Sequence, residues 1–323
     1  MPNDSVLVTG AAGFIGRLLS RELQRCGFST RCAVRKLPPA GLPCADTVAV
    51  GEVSASTDWR RALAGTDTVF HLVARAHVLK ETAADPAAEF NTVNRDGTRN
   101  LAEAAAAVGV RRLVYVSSIG VNGDCTPATG WFDENSVAMP HSVYAASKYA
   151  AELALEEIAA RTGLEIVIVR PPLVYGPGNP GNFLRLLKLV DRGLPLPLAA
   201  VDNRRSLVYA GNLVDFLIAA AVRPEAAGQL YLVSDNEAIS TPQLIRELAR
   251  LMGRTARLWP FPVTGLRLAG KVLGRSAEIE RLVGSLVVDN GKSRRQVHWK
   301  APFTLSRGLE ETVRWYREAM KHE

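Results

Sequence analysis

Three glycines at a fixed spacing follow a short apolar run near the start of the chain. The run Ser5–Thr9 has the composition of a buried strand, and a helical pattern follows the last glycine. Such a turn bends tightly at its first glycine, lets the backbone approach a ligand at its second, and lets the helix pack on the strand at its third. This order predicts a dinucleotide site with the pyrophosphate at the helix N-terminus. The predicted contacts in this turn are Gly10, Gly13, Phe14, Ile15 and Gly16.

Apolar runs that predict strands alternate with helical patterns through the first half of the chain. After the first run, the predicted strands are Thr30–Val34, Asp46–Val50, Asp67–Leu72, Arg111–Ser117 and Glu165–Arg170. This βαβ order predicts an α/β fold with a Rossmann-like, doubly wound parallel sheet. Ligands of such sheets bind in the crevice at the carboxyl ends of the strands.

The sequence pattern changes after Pro172, where prolines and glycines become frequent. We expect residues 1–172 to form the dinucleotide-binding domain, and residues 173–205 and 235–323 to form a smaller C-terminal domain. Residues 206–234 read as a strand, a helix and a strand, and we expect them to return to the first domain. Two further helices are predicted over Val263–Leu286 and Leu305–Met320.

The end of the second predicted strand bears on the choice of nucleotide. An NAD site usually places a carboxylate there to hydrogen-bond the ribose 2′-hydroxyl. Here Val34 ends the strand, and Arg35 and Lys36 follow. Two cations without a carboxylate favour a 2′-phosphate and hence NADP(H). If both are solvated loop charges, NAD(H) remains possible.

Other predicted cofactor contacts follow strand ends or lie in a helix beside the crevice. Glu52 and Val53 follow the third strand and are expected near the adenine. Asn94 lies within a predicted long helix over Asp85–Val108. The remaining members of this set are Leu72, Ala74 and Pro171.

Tyr144 and Lys148 lie four residues apart in a predicted helix, so they share one helical face. A nearby ammonium lowers the pKa of a phenol, because positive charge favours the phenolate. Tyr144 is therefore a candidate general acid and base near neutral pH. The spacing alone is common by chance, and its weight comes from its place after the glycine turn.

The glycine turn, Ser118 and the pair Tyr144 and Lys148 together resemble an extended short-chain dehydrogenase/reductase of the NAD-dependent epimerase/dehydratase family. The resemblance implies that Tyr144 is the acid and base and that Lys148 binds the nicotinamide ribose. It also implies that Ser118 hydrogen-bonds the reacting oxygen. Ser118 takes this place instead of Ser117 because of its distance from the motif that ends in Gly123.

Segments of the C-terminal third resemble the nucleotide-sugar members of that family. Asn182 and Phe183 match the segment that meets the diphosphate, and Leu196 lies in the stretch expected beside the uracil. Arg205 resembles the arginine that clamps a phosphate, a task that suits its planar, bidentate guanidinium. The resemblance thus implies a UDP-sugar as substrate.

The dehydratases of this family carry an Asp-Glu pair directly after the active-site hydroxyl residue. Ile119 and Gly120 occupy those positions here, which excludes dehydration. The chain resembles a bacterial O-antigen subgroup, which implies reduction at C4 of a UDP-4-keto-6-deoxy-N-acetylhexosamine in lipopolysaccharide precursor synthesis, with Tyr144 as the acid. The alternative is a UDP-glucose or UDP-N-acetylglucosamine 4-epimerase with bound NAD, which needs the same residues. A second alternative is a non-catalytic, NADP-binding regulator.

Charge and composition bound the partners and the location. Most of the net charge of +7 lies in residues 246–323, yet aromatic residues do not alternate with these cations, so nucleic acid is not expected. The chain shows no signal peptide and no apolar run long enough to span a membrane. The four cysteines have no metal spacing and are expected to be free thiols, as in a cytoplasmic protein.

The surface of the chain offers two further expectations. Val263–Leu286 alternates apolar and basic residues, which suits a lid or core helix of the C-terminal domain better than contact with a membrane surface. The family often dimerises through two helices, here Asp85–Val108 and Tyr144–Thr162, so a homodimer is expected.

Overall fold

The computed structural model describes residues 5–37, 42–44, 46–76 and 85–321. The strands among these residues are β1 (Ser5–Thr9), β2 (Ser29–Val34), β3 (Asp46–Ala49), β4 (Thr68–His71), β5 (Arg112–Val116), β6 (Glu165–Arg170), β7 (Leu173–Tyr175), β8 (Arg205–Tyr209), β9 (Leu230–Leu232) and β10 (Ala238–Ile239). The α-helices are α1 (Phe14–Arg25), α2 (Arg60–Leu63), α3 (Pro86–Asn91), α4 (Gly97–Ala107), α5 (Val143–Thr162), α6 (Asn182–Asp191), α7 (Ala210–Val222), α8 (Thr241–Leu251), α9 (Val263–Val272), α10 (Ser276–Val283), α11 (Gly291–Gln296) and α12 (Leu305–Met320).

A seven-stranded parallel sheet carries the fold, in the order β3-β2-β1-β4-β5-β6-β9. The apolar runs that predicted the strands fill it because both faces are buried, as parallel sheets require. Leu19 of α1 and Leu217 of α7 belong to the core on one face, and Leu101 of α4 and Leu155 of α5 to the core on the other. The predicted Rossmann-like doubly wound fold is therefore confirmed.

Strands β1 and β4 pair directly with each other, and the strand order reverses between them. Chain connections leave β1 and β4 towards opposite faces of the sheet at this point, and a crevice opens at the carboxyl ends. The register aligns Thr9 with His71 at that edge. The loops after both strands thus meet at one place, and the candidate site is built around it.

Residues 206–234 return to the large sheet only in part. The helix α7 packs on α1, and β9 pairs with β6, as expected. The strand β8 instead lies in a separate three-stranded sheet of order β10-β8-β7. β8 finds its partners in the strand just after β6 and in the short strand after β9, while its Val208 belongs to the core that contains Leu19 and Leu217. Its expected return to the first domain remains a prediction.

A second core lies under the small sheet and is formed by α6, α8 and α12. Its buried members include Phe183, Leu248 and Leu309. The helix α8 begins with a capping box in which Ser240 caps the helix and Gln243 bonds back to it, so Ser240 is the cap residue and Thr241 begins the helix. The division into two domains with the predicted boundaries remains a prediction.

The predicted helix over Val263–Leu286 is interrupted. It forms α9 and α10, with a turn between them at Gly274, whose φ is +65°. Glycine adopts this left-handed backbone at little cost, so it ends α9 where the apolar periodicity alone continues.

The expectation of four free thiols is also wrong. Cys32, within β2, and Cys44, just before β3, form a disulfide, with their Cα atoms 6.1 Å apart. Cys26 and Cys125 are free and exposed. The pairing of β2 with β3 brings the two half-cystines together, and a spacing of this kind in the sequence does not reveal that contact.

Candidate active site

The glycine turn after β1 leaves the first turn of α1 open to an anion. Gly13 is the N-cap, no side chain caps the helix, and the first turn holds no acidic residue. The first intrahelical bond runs from the Arg17 N–H to the Gly13 carbonyl. The amides of the three preceding residues therefore have no helical acceptor, and with the helix dipole they suit an anion such as a phosphate.

Close packing explains why the turn is built from glycine. A Cβ atom on Gly16 would lie 2.2 Å from the Gly10 carbonyl oxygen, so α1 can approach β1 only without a side chain there. Gly10 has a φ of +69° and lies against Val73, the loop residue after β4. These residues fit a dinucleotide whose pyrophosphate rests on the α1 N-terminus and whose neighbours include Leu72 and Ala74.

The predicted contacts for the adenosine half lie at the ends of β2 and β3. Arg35 and Lys36 are both exposed, and the Arg35 Nε atom lies 3.3 Å from a Glu52 carboxylate oxygen. An exposed ion pair of this kind contributes about 0–1 kcal/mol, so it leaves Arg35 free to rearrange. Val53 is buried against Gly97 at the start of α4, where a Cβ atom would lie 2.5 Å from Val53 Cγ1.

Tyr144 and Lys148 lie one turn apart on α5, which begins at the N-cap Ser142. Ser118 lies two residues after the end of β5 and caps a single 3-10 turn. Its Oγ atom accepts a hydrogen bond from the Gly120 N–H at 3.1 Å. The turn that Ser118 caps packs against α5, where a Cβ atom on Gly120 would lie 3.4 Å from the Ala145 Cβ atom. The Ser118 hydroxyl is near enough to the Tyr144 phenol to lower its pKa. The neighbouring Ser117 is buried, and its hydroxyl has no hydrogen-bond partner. The geometry thus brings Ser118, not Ser117, to the tyrosine.

The protonation of Tyr144 differs from the sequence-based expectation. Burial of its hydroxyl raises the pKa of Tyr144 to about 12, while the Ser118 hydroxyl acts to lower it. Burial therefore outweighs any depression of this pKa by Lys148 in the protein alone. At neutral pH Tyr144 is a neutral phenol, which suits it to donate a proton.

Lys148 is only 1% exposed, and its Nζ atom lies 4.0 Å from the centre of the Tyr115 ring. This is a cation–π contact that holds the ammonium over the ring face. Burial lowers the pKa of Lys148 to about 7, although the Glu152 carboxylate acts to raise it. The lysine therefore titrates near neutrality instead of carrying a permanent charge.

A stack behind Lys148 was not anticipated from the sequence. The ring of Tyr115 stacks on His71 with ring centres 5.6 Å apart. The two nitrogens of His71 lie 2.7 Å from the Thr9 hydroxyl and 2.9 Å from that of Thr98. Burial, with the positive charge of Lys148 second, lowers the pKa of His71 to about 3, so the ring is neutral. His71 is a polar residue at the end of β4, next to the point where the strand order reverses. This position is the sequence signal that could have indicated the stack.

Asn94 lies in a π-helical turn, Thr92–Asp96, between α3 and α4. Its amide nitrogen donates to the Arg75 carbonyl at 3.1 Å and to the Ser147 hydroxyl at 2.9 Å, and its oxygen accepts from the Arg75 N–H at 2.8 Å. Asn94 therefore ties the loop after β4 to the catalytic helix. Both of its donors are used in this way, and a direct contact with the cofactor stays a prediction.

The carboxyl ends of β5 and β6 are joined beside these residues. The Ile119 N–H donates to the Pro171 carbonyl at 3.0 Å. Pro171 is buried, and this bond joins the segment after β6 to the turn that Ser118 caps.

The predicted substrate residues lie on the other side of the crevice. Gly178 approaches the Phe14 ring, so the segment before α6 covers the glycine turn. Asn182 is exposed at the start of α6, but the Phe183 ring is buried and stacks on Tyr175, which leaves only its backbone for a ligand. Leu196 is half-buried, and its backbone pairs with the segment at Leu258.

Arg205 begins β8 and donates to the Gly284 carbonyl at 3.3 Å. Burial lowers the pKa of Arg205, and the positive charge of Arg281 adds to this effect, whereas Asp124 opposes it. A desolvated guanidinium beside another cation is a favourable anion site, as a phosphate clamp requires.

The titration of Lys148 predicts a pH dependence of folding stability. Its pKa is about 7 in the folded protein and 10.5 when unperturbed. Between these values the unfolded chain binds more protons, so the free energy of unfolding gains about 1.4 kcal/mol per pH unit as the pH rises. Relative to Lys148→Met, the wild type should gain stability from pH 7 to pH 9.5 in urea unfolding. Parallel curves for the two proteins would contradict the shift.

The chain matches the family model described as "NAD dependent epimerase/dehydratase family" over residues 6–234. It is 38% identical over 319 residues to the UDP-glucose 4-epimerase of Vibrio cholerae, covering 98% of this chain and 96% of that protein. It is 30% identical over 331 residues to the ceramide reductase of Caulobacter vibrioides, covering 97% and 95%.

Among solved structures, the chain is similar to that of MoeE5 in complex with UDP-glucose and NAD. The two share 26% sequence identity and a TM-score of 0.77, and the match covers 98% of this chain and 99% of that one.

Proposed function

Because the chain belongs to the NAD-dependent epimerase/dehydratase family, we propose that it is a UDP-hexose 4-epimerase that works with bound NAD. The observation that supports the proposal is the proximity of the Ser118 hydroxyl to the Tyr144 phenol, which lies one helical turn from Lys148 on α5. The similarity to the Vibrio cholerae epimerase supports the choice of reaction. The sequence alone favoured reduction of a UDP-4-keto sugar over 4-epimerisation, and this similarity reverses the order of the two candidates.

The proposed reaction moves a proton and a hydride from the substrate and returns both. When bound at the glycine turn, with its pyrophosphate at the α1 N-terminus and its nicotinamide ribose at Lys148, NAD⁺ would supply a reversible hydride acceptor for C4 of the sugar. Tyr144 removes the proton from the C4 hydroxyl and later returns it, and Ser118 hydrogen-bonds the same oxygen. Lys148 holds the nicotinamide ribose in position. The Tyr144 pKa of about 12 is high for a base, and a positive charge placed next to the phenol would lower it.

Elimination of water is absent from this scheme. It needs an acid and a base next to the reacting carbon, and the residues after Ser118 are Ile119 and Gly120. Ile119 is buried in the 3-10 turn, so no carboxylate takes its place there. This supports hydride transfer without dehydration.

The substrate is proposed to lie between Ser118 and the second core. Arg205 binds a phosphate of the UDP group, and the Asn182 amide and the backbone at Phe183 meet the diphosphate. The stretch that contains Leu196 lies beside the uracil.

Reduction of a UDP-4-keto sugar with NADPH is the second candidate. It is favoured by Arg35 and Lys36 after β2, where Val34 stands in place of a ribose-binding carboxylate. The similarity to a protein named as a reductase also supports it. A preference for NADP(H) belongs to this candidate, and the homodimer through α4 and α5 remains a prediction.

One set of assays separates the candidates. Purified protein is incubated with UDP-glucose, UDP-N-acetylglucosamine or a UDP-4-keto-6-deoxy-N-acetylhexosamine, each with NADH, NADPH or no added nucleotide, and products are read by NMR. Conversion of UDP-glucose or UDP-N-acetylglucosamine to its C4 epimer without added nucleotide is the expected result. Turnover of only the keto sugar, with consumption of NADPH, would reject the epimerase and establish the reductase.

A further inference from the structure

We propose that the hairpin of α9 and α10 docks on the surface of an anionic phospholipid bilayer. Three large apolar side chains near the end of α9 are strongly exposed. Leu268 is 64% exposed, Val272 is 78% and Leu273 is 70%. Exposed apolar side chains clustered in this way mark an interaction surface more often than isolated ones do.

The apolar side chains lie on the outward face because the other face of α9 is already used. Leu266 is buried in the second core, and a Cβ atom on Gly270 would lie 2.6 Å from the Ile279 side chain of α10. The helical period of 3.6 residues places Leu268 and Val272 together, on the side opposite this contact. We call the exposed set Leu268, Val272 and Leu273 the apolar tip.

The exposed cations around the apolar tip indicate that its partner is an anionic surface. Lys271 lies within it, and Arg275 follows Leu273 at the start of α10; both are exposed. Arg267 is paired with Glu280 at 2.7 Å, and Glu278 is the exposed carboxylate on this end of α10. Apolar side chains interleaved with cations insert into an anionic headgroup layer, whereas a neutral protein surface would leave the cations unmatched.

The binding is at the surface of the bilayer. In the part of the chain that the structure describes, no helix has the length and apolar character that a membrane crossing needs. The α9 helix covers Val263–Val272 and is amphipathic, which suits a position in the interfacial plane.

Docking there would place the candidate substrate site next to the bilayer. Arg281, near the end of α10, lies close enough to Arg205 for their charges to interact. The hairpin thus connects the apolar tip with the residue that we propose as the phosphate clamp. The docking itself does not depend on that role, because it is read by binding alone.

Sedimentation with vesicles tests the proposal. Full-length protein is mixed with vesicles of phosphatidylcholine containing 30% phosphatidylglycerol, or of phosphatidylcholine alone, at low and at high salt. We expect binding to the anionic vesicles that weakens with salt. The triple variant Leu268→Ser, Val272→Ser, Leu273→Ser should lower the partition coefficient more than about tenfold, and Lys271→Glu about fivefold or more.

The matched control is Val137→Ser, which removes a side chain that is 77% exposed elsewhere on the surface and should leave binding unchanged. Turnover of a water-soluble UDP-sugar should be the same in all these variants, so a loss of binding is not a loss of folding. No binding to anionic vesicles, or equal binding by the triple variant, would reject the proposal. Self-association in the absence of vesicles that the triple variant abolishes would reject it too, because the tip would then belong to a second copy.

Discussion

Replacing Tyr144 with phenylalanine is expected to lower kcat for the UDP-sugar by about 10²- to 10⁴-fold, since the general acid and base is lost. The folded structure should remain, because the ring keeps its edge contact with Phe90, whose centre is 6.3 Å away. The free energy of unfolding should change by about 1 kcal/mol or less, because only a hydroxyl group is removed from a half-buried side chain. The measurements are steady-state kinetics on the epimerase or reductase assay and urea unfolding.

The control for this prediction is Tyr149→Phe, which makes the same change of side chain on the same helix. It should leave kcat within about twofold, because Tyr149 is outside the proposed proton path. Full activity of Tyr144→Phe would show that another group transfers the proton. An inactive wild type that still bound the nucleotide would instead favour the regulator considered from the sequence.

Replacing Glu152 with glutamine is expected to cost about 3–5 kcal/mol of stability, because it leaves a buried guanidinium without its carboxylate. The Glu152 carboxylate, 1% exposed, bonds Arg170 through two guanidinium nitrogens, with Nε at 3.0 Å. A third contact joins Arg170 Nη1 to the Asn122 amide oxygen at 3.0 Å. Urea unfolding at neutral pH measures the change.

A second readout distinguishes Glu152 from a merely structural group. Its charge raises the pKa of Lys148, so without it that pKa should fall below about 7, and the pH range over which stability rises should extend to lower pH. The matched control is Glu157→Gln, on the same helix as Glu152. It breaks an exposed ion pair with Arg99 of α4 and should cost less than about 1 kcal/mol. Equal losses in the two variants would contradict the proposed role of burial.

The sequence indicated the parallel sheet because its strands are nearly continuous apolar runs, and two buried faces require this. It did not indicate where β8 belongs, since an apolar strand fits either sheet and its partners are set by the chain path. The split of Val263–Leu286 was missed for a related reason: Gly274 is one residue in an otherwise helical pattern. The Cys32–Cys44 contact arises from strand pairing, which no spacing rule encodes.

For the candidate site, the residues were easier to identify than their chemistry. The spacing of Tyr144 and Lys148 correctly placed them on one helix, one turn apart. Their protonation depends on burial, which is a property of the packed structure. Burial outweighs the Ser118 hydroxyl at Tyr144 and the Glu152 charge at Lys148. The support beneath Lys148, which runs from Tyr115 to His71, comes from two different strands and leaves no motif.

The π-helical turn at Thr92–Asp96 affects how many residues the segment from α3 to α4 contains. Such a turn holds one more residue than the α-helical ladder on either side, as a single-residue insertion would. Removing one residue there would restore a regular helix without rotating α4, because the bulge absorbs the extra residue. Gly97, which fits against Val53 only because it lacks a Cβ atom, would keep that contact. Asn94 lies inside the bulge, so the deletion would displace it from the loop at Arg75 that it holds.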